Sequence, residues 1–218
     1  MKEQCLDIVR QKCNGCKGCT LAATRKNVVF GDGNASTAKI VFIGEAPGEM
    51  EDESGMPFVG RAGQLLNEFL ANAGISREED LYIINTVKCR PPENRVPTDE
   101  EKFACRKFLN AQIDIIKPRA IVLCGATALK SFVELDKKTT ISKVRGQWMT
   151  INVDGVEYPA MTIFHPSYLL RNHSTAEGAP RTLMAQDLRE IKNKFLNDVH
   201  RFGSITMEAK ENREFAMV

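Results

Sequence analysis

The chain has 218 residues, 43% hydrophobic and 27% charged, the size and balance of one globular domain rather than a disordered chain. Lys plus Arg number 30 against 28 Asp plus Glu, which excludes a histone-like binder; a nucleic-acid reader of this balance needs a local basic face. The longest apolar runs, such as Ala120–Cys124, are too short to cross a bilayer, and Met1-Lys2-Glu3-Gln4-Cys5 lacks the basic-then-apolar order of a secretory signal. The expectation is a cytoplasmic protein with reduced thiols, away from membranes. Its seven cysteines are an odd number, which points to metal binding rather than a disulfide framework.

In chain order, Cys5 falls on a presumptive first helix and reads as a plain thiol. Cys13-x-x-Cys16-x-x-Cys19 follows, with Cys89 and Cys105 far downstream. A set of four such sulfurs suits zinc or an iron–sulfur cluster, and spacing does not choose between them. Lys39–Gly44 reads as a buried strand, and so do Leu81–Val87, Ala120–Cys124 and Tyr158–Phe164, each short, apolar and β-branched. Gln64–Ala73 is a helical pattern that stops at Gly74. Thr98-Asp99-Glu100-Glu101 is a capping-box start for a helix to about Ile116, with Pro118 beyond it. Ala126–Phe132 is a shorter helix, and Cys124 before it reads as a small buried hydrophobe. Gln147–Val156 reads as a hairpin turning at Asp154-Gly155, and Arg181–Val199 as a last helix. Residues 1–202 form one domain in this reading, and Gly203–Val218 a loosely attached tail. The order implies a three-layer α/β/α domain with a mainly parallel, four-stranded central sheet and a small separate hairpin.

In such sheets ligands bind beyond the carboxyl ends of the strands. Three of the four strands end on polar residues: Glu45, Asn85 and His165. Glu45 follows Gly44 and suits the orientation of water. Pro47 and Gly48 make a rigid turn, and Glu49, Glu51, Asp52 and Glu53 read as an exposed acidic loop. Phe58, in a loop between Gly55 and Gly60, is a candidate stacking platform. A carboxamide at Asn85, in an apolar strand, gives and takes hydrogen bonds side by side, as reading a base edge requires. His165 can donate to an oxygen that gains charge. Leu169 and Leu170 beside Arg171 suit apolar wedges and a phosphate contact. Lys137, Lys138, Lys143 and Arg145 offer a second phosphate-facing patch. Two other classes share parts of this set: a non-catalytic iron–sulfur DNA-binding protein, and a metal-dependent phosphoesterase built on Glu45, Glu49, Glu51, Asp52 and His165.

Four segments together resemble the family 4, iron–sulfur uracil-DNA glycosylases: Gly44–Asp52, Pro57–Gly63, Asn85–Pro92 and His165–Arg171. The likeness runs from about Cys16 to Val199. It implies a [4Fe–4S] cluster on Cys16, Cys19, Cys89 and Cys105, with Cys13 set aside. It also implies that Gly44 lines the uracil pocket, Phe58 stacks on the base and Asn85 reads its edge. His165 would stabilise the departing base and Glu45 would position water. Ser167, Leu169, Leu170 and Arg171 would meet DNA. The substrate would be uracil-containing DNA, the products free uracil and an abasic site, and the enzyme a monomer. A related covalent-trapping family carries an inserted basic loop with a histidine; Arg90–Pro97 is short and has none, so turnover is expected.

Overall fold

A computed structural model of the chain describes residues 1–136 and 138–197. The expected tail at 203–218, the last residues of the expected final helix, and Lys137 lie outside the described residues. The strands are β1 (Asp32–Gly33), β2 (Ile40–Gly44), β3 (Leu81–Asn85), β4 (Ala120–Cys124), β5 (Trp148–Val153) and β6 (Val156–Ile163). The helices are α1 (Lys2–Asn14), α2 (Glu49–Ser54), α3 (Arg61–Ala73), α4 (Asp99–Ile116), α5 (Ala126–Lys130), α6 (Ile141–Val144), α7 (Pro166–Leu169) and α8 (Pro180–Phe195).

The strands form one mixed sheet in the order β1-β3-β2-β4-β6-β5. β3, β2, β4 and β6 run parallel, and β1 and β5 close the two edges antiparallel. This corrects the expected four-stranded sheet with a separate hairpin. No turn separates Val156 from Tyr158, so the hairpin's second arm is itself the fourth parallel strand. Asp154 and Gly155 both take positive φ, 48° and 88°, as a tight two-residue hairpin turn requires.

Every residue of β2, β3 and β4 is buried, because helices cover both faces. Val41 and Ile43 point toward a core with α1 and α4, packing against residues such as Leu6, Leu109 and Ile113. Ile40 and Phe42, one residue out of phase, point toward α3 and α8, against Leu66, Leu70 and Leu188. Burying each such side chain contributes about 1.5–3 kcal/mol. Thr98 caps α4 by accepting from the Glu101 N–H, as the sequence pattern predicts. No helix among the described residues is long and apolar enough to cross a membrane.

Candidate active site

The parallel register sets Gly44 beside Asn85 and Cys124 beside Ile163. The strands therefore end on one edge, and the residues that follow them share one cleft of about 370 Å³. Glu45, Phe58, Asn85 and His165 all line it. That volume suits a single small planar ligand.

Gly44 makes the close approach possible. A Cβ there would lie 2.4 Å from Asn85 Oδ1 and 2.6 Å from the Phe58 ring. Phe58 itself holds a φ of 53°, rare for a bulky residue. Its ring stands edge-on to Phe42, with centroids 6.0 Å apart, and lies 5.9 Å from the His165 ring at a tilt of 34°. Arg77 holds this loop, donating to the carbonyls of Pro57 (2.6 Å) and Phe58 (3.3 Å) while paired with Asp32 at 3.2 Å. No sequence pattern marked Arg77 or Asp32, because the loop they hold is distant from both along the chain.

The acidic run is not an exposed loop. It forms α2, and two of its carboxylates are structural. Glu51 accepts from the N–H groups of Gly48 (3.1 Å), Val59 (3.0 Å) and Gly60 (2.9 Å). Asp52, 3% exposed, accepts from the N–H groups of Lys26 and Asn27. With those two engaged, the donor set of a metal-dependent phosphoesterase is not assembled.

Asn85 is 2% exposed, and its Oδ1 is buried with no hydrogen bond from any described residue. Such an atom carries a desolvation cost that a ligand donor would relieve. Glu45 Oε2 accepts from Thr127 Oγ1, and the Glu45 carbonyl accepts from Thr86 Oγ1, so both its ends are fixed. His165 Nδ1 lies 2.8 Å from Ser167 Oγ and accepts the Ser167 backbone N–H at 3.2 Å. A backbone N–H can only donate, so in the neutral ring the proton sits on Nε2. Burial pulls the imidazole below its ordinary value, against the opposing pull of Glu45 and Glu51. Asn94 also lines the cleft, at a φ of 55°, with its Oδ1 held by Arg90 Nε at 2.8 Å. It too went unmarked in the sequence, inside a loop of no regular pattern.

The sequence profile of the Uracil DNA glycosylase superfamily matches residues 30–189, which span the whole of this cleft. The chain belongs to the uracil-DNA glycosylase superfamily. It is 51% identical over 192 residues to the Type-4 uracil-DNA glycosylase of Thermotoga maritima, covering 88% of this chain and 95% of that one. It is 41% identical to the Type-4 enzyme of Saccharolobus solfataricus, over 86% of this chain and 85% of the relative. Identity to the Archaeoglobus fulgidus Type-4 enzyme is 45%, over 75% and 82%. The resemblance read from the four motifs is borne out.

In this glycosylase the cysteines meet on the far side of β3. Cys13, Cys16, Cys19, Cys89 and Cys105 line one cavity together with Arg25 and Lys88. Arg25 donates to Cys89 Sγ at 3.2 Å and the Gly18 N–H to Cys16 Sγ at 3.4 Å. None of the described hydrogen bonds ends on the Cys13 sulfur. Burial pushes the Cys105 thiol up to about 11, with Lys88 pulling the other way. Thiolates in such a place need nearby positive charge, and both cations supply some. Among the described residues no three Cys, His, Asp or Glu gather closely enough to hold a single metal ion. Cys124 is fully buried and Cys5 exposed, as their plain readings expected.

The segment expected to meet DNA is placed differently from expectation at both leucines. Leu169 has 0% exposure and belongs to the core under α3 and α8, so it is not a free wedge. Leu170 is half-buried against the same core. The helical turn of α7 directs position 169 inward and exposes Ser167, Tyr168 and then Arg171. Arg145 of the expected basic patch is paired instead with the buried carboxylate of Asp187, through Nε at 2.8 Å and through Nη2. Lys138 and Lys143 are exposed.

Proposed function

We propose that this chain removes uracil from DNA by hydrolysing its N-glycosidic bond, leaving an abasic site. One observation carries the reading: a buried carboxamide oxygen with no partner among the described residues faces a cleft that also holds an aromatic ring and an imidazole N–H. An extruded uracil stacks on Phe58. Its N3–H satisfies Asn85 Oδ1, and its O4 accepts from Asn85 Nδ2. Cytosine presents the opposite donor pattern and leaves both amide atoms opposed. As the bond to C1′ breaks, uracil leaves with the electron pair and negative charge grows on its O2. His165 donates from Nε2 to that oxygen, a contribution on the order of 3 kcal/mol. Glu45, held by Thr127, aligns the water whose oxygen bonds to C1′, and the proton that water gives up balances the charge of the departing uracil anion. Ser167 and Arg171 meet backbone phosphates, and α7 presents Tyr168 and Leu170 to the gap the base leaves.

The all-thiol cavity suits a [4Fe–4S] cluster, with Cys16, Cys19, Cys89 and Cys105 as ligands. A tetrahedral zinc needs its sulfurs about 2.3 Å from one point, and among the described residues no three such ligands gather that closely. The cluster would supply a structural tie and no redox step. The N–H donors on the Cys16 and Cys89 sulfurs support those two as ligands. We place the enzyme in the cytoplasm as a monomer, acting by turnover.

The test is a labelled oligonucleotide with one uracil, incubated with protein and chelator. Free uracil should appear, and the strand should break at that position only after alkali. Direct backbone cleavage, or activity abolished by EDTA, would remove the reading.

A further inference from the structure

Lys88 is a long cation at 0% exposure, and no described carboxylate pairs with it. Its carbonyl accepts the Val29 N–H at 2.8 Å, and its Nζ turns back to donate to the Asn85 carbonyl at 2.8 Å. The same side chain forms part of the wall of the cysteine cavity, where Cys13, Cys89 and Cys105 act on it electrostatically. One residue thus touches the sulfur centre on one side and the uracil-facing strand end on the other.

We propose that Lys88 is a positioning residue: its ammonium group fixes the Asn85 backbone against the cysteine centre, and so sets where the base-reading carboxamide stands. The inference rests on the assignment of Asn85 to the uracil edge and of the cysteines to a cluster. Three features make the link a tight one. Asn85 ends β3, and the next residue ties the strand to the end of β2 through the Thr86 N–H to the Gly44 carbonyl at 3.0 Å and Thr86 Oγ1 to the Glu45 carbonyl, so the Lys88 contact acts on an end already held on its other side. Its side chain has no described partner to orient the oxygen. The Lys88 side chain is sealed from solvent, so no water competes with its Nζ for the Asn85 carbonyl. A hydrogen bond from a charged donor is worth more than a neutral one, and this one is dry.

The experiment uses the full chain with its metal centre, monitored by iron content and visible absorption. Binding is read with an oligonucleotide carrying non-hydrolysable 2′-fluoro-arabino-uridine, against the same strand carrying cytosine. The wild type must prefer the uracil strand; if it does not, the uracil reading itself fails. Lys88→Met keeps the chain length without the donor. It should load metal, keep wild-type affinity for the cytosine strand, and lose uracil preference by about 10-fold. A loaded Lys88→Met protein with wild-type preference overturns the proposal. Lys88→Arg keeps the charge but adds length that a 2.8 Å contact cannot hold, so it too should load metal and lose preference. Should Lys88→Met not fold, wild-type preference in loaded Lys88→Arg overturns the proposal just as well.

Discussion

At the scale of single residues, the chemistry rests on which tautomer and which face each side chain presents. His165 is fixed as an Nε2 donor by the Ser167 N–H on its other nitrogen. Protonation would cost that hydrogen bond, and burial already resists it. His165→Ala should therefore lower kcat by about 10²–10³-fold while leaving DNA affinity near wild type. In the wild type, kcat should hold as pH falls through the ordinary imidazole value of 6.5, because the ring stays neutral with Nε2–H in place. A decline beginning above 6.5 would contradict the depressed imidazole. Strand-end positions made Glu45, Asn85 and His165 legible from sequence, since a polar residue after an apolar run is a strong local signal. Leu169 was misread because the two leucines look alike in sequence, and only the turn of α7 separates the buried one from its neighbour. Leu169→Ala should cost about 2–5 kcal/mol of stability with little specific loss on single strands. Tyr168 is 38% exposed, with its ring 5.2 Å from Phe164. Tyr168→Ala should leave stability near wild type and slow excision from duplex by about 10-fold, more than from single strands. Equal losses on both substrates would place Tyr168 outside base extrusion.

At the scale of elements, α4 does more than cover the sheet. Its capping residue Glu101, 3% exposed, accepts from Arg95 at 2.7 and 2.8 Å, from the Thr98 N–H at 2.8 Å and from Thr20 Oγ1 at 3.0 Å. Thr20 follows Cys19 and Cys105 lies one turn along α4, so this carboxylate fastens two cysteine-bearing segments together. The Arg95 hydrogen bond, foremost, holds Glu101 down at about 2. The folded value is depressed, so the stabilisation is complete above the ordinary 4.5 and fades as pH falls toward 2. Melting temperature should thus fall below pH 4.5 in the wild type. It should fall less steeply in Glu101→Gln, which starts lower. Parallel slopes would show that other carboxylates govern acid unfolding. The capping box was visible in sequence because both partners are local. Its bond to Thr20, 81 positions away, was not, and neither was its bond to Arg95, six residues upstream in a loop of no regular pattern. The same limit explains the sheet: β2, β3 and β4 read correctly as apolar runs, while pairing of β5 and of the two-residue β1 depends on neighbours remote in sequence.

At the scale of the molecule, the cysteines join chain segments that no other covalent link connects. Cys19 and Cys89 lie 70 positions apart, and Cys105 sits on a third element. A metal centre shared by them would close those long loops and restrict the unfolded chain as a crosslink does. Removing a true ligand should therefore cost both metal and melting temperature, whereas removing a bystander thiol should cost neither beyond a small packing loss. Cys13 tests this most sharply, since it lines the same cavity and is 2% exposed. Spacing alone left it level with Cys16, but hydrogen bonds separate the two. The Gly18 N–H points at the Cys16 sulfur, as a thiolate ligand requires, and Cys13 lies at the end of α1 among core side chains. Cys13→Ser should keep wild-type iron content and visible absorption, with a modest fall in melting temperature from burying a hydroxyl. Cys16→Ser, Cys89→Ser and Cys105→Ser should each lose iron. A Cys13→Ser protein stripped of iron beside a loaded Cys16→Ser protein would exchange the two residues' roles and move the centre one helical turn toward α1.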